Sequence, residues 1–339
     1  MAAFTTIDDP SAYFKVQLYT GSGGTQSITF DDTDTDMQPD LIWIKSRNDT
    51  NPHTVVDSVR GATKVIWTNV GSVEGTFTDE VTAFDSDGFS LGASSNAYAN
   101  ENTITHVAWC WKESATSGMD IVQYTGNATD DVDISHSLSA VPHLIILKNL
   151  NNSNAESWAV YHHKNTSAPE TDKLVLNNTA ATADNDEFWS DEVPTSSVFT
   201  IGRQDSVNGS GNSHIAYLFS EKQGFSKFGS YVGNNGGSNG VFVYTGFRPK
   251  LVIQKLSSNA GANWIMRDTA RDTYNPMDNQ LEANTSDAKE DNHAIDFLSN
   301  GFKTRANGLN QQDNGYTYTY MAFAEAPFVN SNGVPCNAR

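Results

Sequence analysis

Along the whole chain, short apolar runs are separated by clusters of glycine, asparagine, aspartate and serine, a rhythm that predicts strands and turns. Three runs are continuous: Pro39-Asp40-Leu41-Ile42-Trp43-Ile44-Lys45, Pro142-His143-Leu144-Ile145-Ile146-Leu147-Lys148 and Pro249-Lys250-Leu251-Val252-Ile253-Gln254-Lys255. A short apolar run of this kind fits a strand buried on both faces, and a proline suits a strand's first residue. Three others alternate small and aromatic side chains: His106-Val107-Ala108-Trp109-Cys110-Trp111, His214-Ile215-Ala216-Tyr217-Leu218-Phe219 and Tyr320-Met321-Ala322-Phe323-Ala324-Glu325. A period of two puts Ala108, Ala216 and Ala322 on one face and Trp109, Tyr217 and Phe323 on the other. Helical periodicity does not extend beyond a turn or two anywhere.

These runs recur in a fixed order. Each set opens on an aromatic turn, Tyr19-Thr20-Gly21, Tyr124-Thr125-Gly126 and Tyr231-Val232-Gly233, and carries a further column at Gly88-Phe89, Val198-Phe199 and Gly301-Phe302. Pro39, Pro142 and Pro249 are spaced by 103 and 107 residues, and Ala108, Ala216 and Ala322 by 108 and 106. The pattern predicts an all-β chain of three tandem repeats of ~100 residues, each a β-sandwich or jelly-roll-like unit. The expected units are residues 1–115, 116–222 and 223–328, with 329–339 as a C-terminal tail. The junctions, 113–118 and 221–224, contain no proline-rich or serine-rich linker, so the units are expected to pack closely together.

Composition sharpens this picture. Apolar residues make up 37% of the 339, and the shortfall is taken by turn formers that suit many short strands. With 40 acidic and 21 basic side chains the net charge is −19, which disfavours nucleic acid and anionic membranes and gives a solvated exterior. No run approaches the ~18 apolar residues of a membrane helix, and residues 1–9 lack the basic and apolar regions of a signal peptide, so neither membrane insertion nor general secretion is expected. The two cysteines, Cys110 within a strand run and Cys336 in a loose tail, make no disulfide framework or zinc site and are expected to be unpaired.

Few motifs point to chemistry. Asp57-Ser58-Val59-Arg60 and Asp268-Thr269-Ala270-Arg271 share an Asp-Ser/Thr-small-Arg pattern at one place in the repeat. Asp57, Ser58, Arg60, Asp268, Thr269 and Arg271 are therefore candidate binding residues, since an arginine fork and a hydroxyl suit sugars and carboxylates. The same pairing also serves as a loop staple, which explains its recurrence better than a duplicated active site does. The second repeat has His162-His163-Lys164-Asn165 instead; adjacent strand histidines point to opposite faces, which argues against a metal. Asp31-Asp32-Thr33-Asp34-Thr35-Asp36 begins like a calcium loop, but Met37 and Trp43 stand where an EF-hand needs glycine and glutamate. An acidic solvated loop is the default there and at Asp130, Asp131 and Asp133, with an irregular calcium site as the alternative. No cofactor is otherwise implied. Zinc-protease helices, P-loops and dinucleotide fingerprints are absent from the sequence. Trp67, Trp189 and Trp264 are candidates for a sugar platform or, more simply, for packing.

Several segments carry a family resemblance: residues 3–14, Gln38-Pro39-Asp40-Leu41-Ile42-Trp43-Ile44-Lys45, Asp57-Ser58-Val59-Arg60-Gly61-Ala62, Val107-Ala108-Trp109-Cys110-Trp111-Lys112, Gly224-Phe225-Ser226-Lys227-Phe228-Gly229-Ser230-Tyr231, Val243-Tyr244-Thr245-Gly246-Phe247-Arg248-Pro249 and Ala322-Phe323-Ala324-Glu325-Ala326-Pro327-Phe328. Over nearly its whole length the chain resembles repeat-containing virion structural, tail-fibre-like proteins of tailed phages infecting marine bacteria. The resemblance implies a non-enzymatic component of the particle surface, made in the host cytoplasm. Expected partners are other virion proteins and a host cell-surface glycan or protein receptor, with a homo-oligomer, a trimer in particular, as the expected assembly. A capsid decoration or other purely structural virion protein is the alternative, and a polysaccharide-degrading enzyme a more distant one.

Overall fold

A computed structural model of the protein describes residues 5–30, 35–94, 98–152, 154 and 156–336. It is all-β and antiparallel; the two α-helices among the described residues, Asp186–Trp189 and Asp205–Asn208, are single turns. An opening strand, Phe14–Thr20, pairs with a closing strand, Thr105–Trp111. The closing strand pairs with a central strand, Leu41–Ser46, and that with a flanking strand, Thr54–Asp57. The same order holds for Met119–Thr125, Ser213–Phe219, Leu144–Asn149 and Ala159–His162. It holds again for Ser226–Val232, Thr317–Pro327, Phe247–Leu256 and Ile265–Asp268. Leu41–Ser46 and Leu144–Asn149 are buried at every position, as their unbroken apolar runs require. The opening strands leave the sheet at Gly21, Gly126 and Gly233, where a Cβ would lie 2.2, 2.4 and 2.2 Å from a backbone carbonyl oxygen. Only glycine permits that approach.

A second layer covers each of these sheets. Gln26–Thr29 pairs with Gly88–Leu91, Val132–Ser135 with Val198–Ile201, and Phe242–Tyr244 with Gly301–Thr304. The recurrent Phe89, Phe199 and Phe302 sit opposite Ile28, Ile134 and Val243, and all six are buried. In the third sheet, Met277–Glu282 and Glu290–Leu298 join the two layers into one eight-stranded sheet.

The register corrects one column of the sequence pattern. Tyr19 lies opposite His106, Tyr124 opposite His214, and Tyr231 opposite Tyr318, with rings stacked at 5.0, 5.1 and 5.2 Å. The third closing stretch that matches the other two therefore begins at Tyr318, and Ala322 falls level with Cys110 and Leu218 instead of Ala108 and Ala216. A slip of two residues keeps every side chain on its face, so alternation alone cannot detect it; the stacked pair at the strand end sets the register.

Two apolar clusters lie between the layers of the first and second sheets, one around Phe89, Ile42 and Cys110, the other around Phe199, Ile145 and Trp189. The largest cluster lies where the three main sheets turn their other faces toward one another. At its centre Trp111, Phe219 and Phe323, at one register position in the three closing strands, form a triangle with ring centroids 6.4, 5.5 and 5.6 Å apart. Phe14 packs on Trp111 and Phe323 at 5.0 and 5.1 Å. The described tail is tied down, not loose: Val329 bridges Pro335, Cys336 N–H donates to the Phe328 carbonyl, and Ser331 N–H donates to Asp8 at 2.7 Å, bringing the two ends of the chain together.

Candidate functional site

Asp57 ends its flanking strand opposite Leu41, and Asp268 does so opposite Leu251. One oxygen of Asp57 accepts the Arg60 backbone N–H at 2.9 Å and the other accepts from Arg60 Nε at 2.6 Å. Asp268 holds Arg271 in the same way, also at 2.9 and 2.6 Å. Both pairs have almost no solvent exposure. The remaining guanidinium protons are directed inward, from Arg60 to Glu74 and the Lys64 carbonyl, and from Arg271 to the Asn279 and Met266 carbonyls. Ser58 is exposed and Thr269 is buried; their backbone N–H groups donate to the Asp40 and Lys250 carbonyls. The structure thus joins Asp57 to Arg60 and Asp268 to Arg271, and leaves these forks no open face toward solvent.

What the sequence pattern does not reveal is a third partner from a neighbouring sheet. Tyr217 Oη donates to Asp57 at 2.7 Å, and Trp109 Nε1 donates to Asp268 at 3.1 Å. Trp109 and Tyr217 hold the same closing-strand position, opposite Trp43 and Ile146. Met321 holds it in the third closing strand, opposite Ile253, and a thioether has no proton to donate. The flanking strand that faces the third sheet ends in His162, opposite Leu144, and its Nε2 reaches the Tyr320 carbonyl at 3.1 Å. Aspartate stands where the neighbour offers a donor, and histidine where it offers a carbonyl. That is why the motif is missing from the second sheet.

Two more sets of bonds connect the same three pairs of sheets. The residue before each flanking strand donates to the next sheet: His53 to the Glu282 carbonyl at 2.9 Å, Trp158 to the Trp67 carbonyl at 2.9 Å, and Trp264 to the Val175 carbonyl at 3.0 Å. The Glu74, Thr182 and Lys289 N–H groups donate to the Leu150, Ser257 and Arg47 carbonyls at 2.7, 2.8 and 2.8 Å. The lysines that close the central runs are buried. Lys45 Nζ donates to the Ser46 and Asp49 carbonyls, Lys148 to Gly71 and Glu156, and Lys255 to Ala262. Burial pulls all three ammonium pKa values down to about 8.

The other candidates resolve individually. His163 lies in the turn just after Ala159–His162, so it does not alternate with His162; its Nε2 meets the Phe228 carbonyl at 2.6 Å, again on the third sheet. Trp189 and Trp264 are buried, and the half-buried Trp67 packs edge-on against Phe77 at 5.5 Å. Asp130 pairs with Arg203 at 2.7 Å and Asp133 accepts from Thr200 at 2.8 Å; Asp31, Asp32 and Asp34 lie outside the described residues. Among the described residues no group of three or more histidine, cysteine or acidic side chains is arranged to hold a metal ion. One acid pair has no signature in the sequence. Glu113 is hydrogen-bonded to Asp120, and burial, then that neighbour, raises its pKa to about 7. The two touch directly, whereas glycoside hydrolysis needs a sugar bond between carboxyls about 5–10 Å apart.

The crevice at the three-sheet junction, between Trp43, Trp111, Trp158, Phe219 and Phe323, amounts to only about 20 Å³ and is apolar. Larger hollows lie on the surface. One of about 360 Å³ is bordered by Glu221, Lys227, Tyr244 and Gly246, and one of about 440 Å³ by Arg248, Tyr274 and Phe297. Cys110 is a buried thiol and Cys336 an exposed one, and both are free. No curated protein and no solved structure matches the chain. A family match does exist and spans nearly all of it: over residues 9–327 the chain belongs to the family described as a domain of unknown function, DUF7483.

Proposed function

We propose that this chain is a surface component of a phage particle, a fibre or host-attachment protein that acts by binding and not by catalysis. In this reading residues 1–115, 116–222 and 223–328 are three copies of one β-sandwich unit, closed around a pseudo-threefold axis, with 329–339 as the tail. The observation that carries it is where the polar groups go. The Asp57–Arg60 and Asp268–Arg271 forks, the strongest chemical motifs in the sequence, hold sheet to sheet and have no spare valence for a substrate. Contact with other molecules then falls to the outward loops of a rigid body. The acidic exterior and the resemblance to tail-fibre-like virion proteins fit that role. Attachment would work by multivalency, each weak contact multiplied by copy number on the particle. A homotrimer would repeat in three chains the symmetry that one chain already contains, and light scattering distinguishes it from the 36.9 kDa monomer.

The test is binding of fluorescently labelled protein to host and non-host cells, with and without calcium. Saturable binding confined to host cells is expected. Absence of binding in both conditions, from a folded sample, would replace attachment by a purely structural or decoration role. A calcium requirement would direct attention to the acidic loops.

A further inference from the structure

One corner of the fold is built in three ways. In the first sheet Lys15, opposite Cys110, lies over the Phe30 ring at 5.2 Å and 3.9 Å from Asp87. In the second, Asp120 at the matching position, opposite Leu218, accepts the Ser137 N–H. In the third, Lys227, opposite Ala322, turns aside to Glu221 at 2.7 Å, and Gly246 occupies the place of Ser137. The corner is left open as the hollow of about 360 Å³, within the range of about 300–1,000 Å³ typical of small-ligand sites.

The residue above this opening also changes. Thr29 and Ser135 point outward opposite Gly88 and Val198; the matching residue, opposite Gly301, is Tyr244, with 60% of its surface exposed. Its phenol lies across Gly246, where a Cβ would be 3.6 Å from the hydroxyl and where φ is +86°. Glycine keeps both the backbone turn and the space beneath the ring. Glu221 is fixed as an acceptor. Burial opposes its charge, but hydrogen bonds from His163, Lys227 and the Phe228 N–H outweigh that and hold its pKa at about 2.

We infer that the cleft between Tyr244, Gly246, Lys227 and Glu221 is a binding site for a neutral saccharide of one or two pyranose units. A pyranose ring offers an apolar C–H face bordered by hydroxyls. The cleft matches it with an aromatic ring that has a polar tip, a carboxylate acceptor and an ammonium donor. The net charge of −19 and Glu221 at the rim select against polyanionic sugars. The inference rests on reading the exposed surface as a contact surface, and it names the ligand class for one part of it.

The test uses the full chain with the methyl glycosides of glucose, galactose, mannose and N-acetylglucosamine and their disaccharides, followed by saturation-transfer NMR and calorimetry. At least one is expected to bind with a dissociation constant of about 1 mM. Tyr244→Ser installs the residue type that the second sheet carries at the same register, so folding and melting temperature should be unchanged while affinity falls about tenfold or more. Lys227→Met should weaken binding as well, and Tyr274→Ser, in the other hollow, should not. Absence of binding by every sugar up to about 100 mM, or equal affinity in Tyr244→Ser, overturns the site. Cell binding without sugar binding defeats the site and leaves the attachment role standing; sugar binding without cell binding does the reverse.

Discussion

At the scale of single residues, buried polar groups are settled by their partners across sheets. Removing Asp57 would leave the Arg60 guanidinium and the Tyr217 hydroxyl facing each other in the interior. Asp57→Ala is expected to destabilise by about 3 kcal/mol, because the buried Arg60 guanidinium keeps only the partly exposed Glu74 as a counter-charge. Tyr217→Phe, which removes one donor and keeps the ion pair, should cost about 1–2 kcal/mol. Denaturant titration of both variants checks the ordering, and a larger loss in Tyr217→Phe would refute the staple. His53 makes a second prediction. Its Nδ1 accepts from Trp43 Nε1 at 2.8 Å and its Nε2 faces the Glu282 carbonyl at 2.9 Å, so the neutral tautomer fills both positions. Burial lowers the pKa of His53 to about 3 and of His162 to about 4. The unfolded chain takes up these protons near pH 6.5 and the folded chain does not. The contribution of these histidines is therefore fully present above about pH 6.5 and is lost as the pH drops toward 4, by about 1.4 kcal/mol per pH unit per histidine. His162→Gln, which keeps a donor for the Tyr320 carbonyl, should flatten the melting temperature between pH 6.5 and 5 by one histidine's share. A slope equal to the parent's would count against this. The candidate residues were readable from the sequence as an Asp–Arg pair; Tyr217 and Trp109, about 160 positions away, were not, because a cross-sheet hydrogen bond leaves no local pattern.

At the scale of the strand, the central runs were the most legible elements. A segment buried on both faces must be apolar at every position, and such runs stand out against polar loops. Their terminal lysines read as the ends of strands, yet the structure buries them with their ammonium groups on carbonyls. With folded pKa values of about 8 against 10.5 when unfolded, the folded protein releases these protons first. Stability should therefore rise between pH 8 and 9, before tyrosine ionisation in the unfolded chain opposes it. Urea midpoints at the two pH values measure this, and a fall would show that these lysines stay charged. The third closing strand was misplaced by two residues for a strand-level reason: period-two alternation is unchanged by a shift of two, and the stacked Tyr231–Tyr318 pair that fixes it joins positions far apart in sequence.

At the scale of the molecule, the central cluster makes the three main sheets interdependent. Trp111, Phe219 and Phe323 each contact the other two, so none of the main sheets has its inner face covered without its neighbours. Trp111→Ala is expected to lose about 3–5 kcal/mol, and the intact chain to unfold in one calorimetric transition. Separate transitions, or an independently folded fragment of residues 1–115, would show that the sheets behave as separate domains. The sequence by itself determined the strands, their order and the near-equal spacing of their landmarks, because burial period and turn chemistry are local properties. Only the tertiary structure decided that the main sheets close on a shared aromatic centre, that the Asp–Arg forks face inward, and that one corner of the fold stays open. Those outcomes depend on which distant side chains meet, and on whether the partner brings a proton, a carbonyl or an empty space.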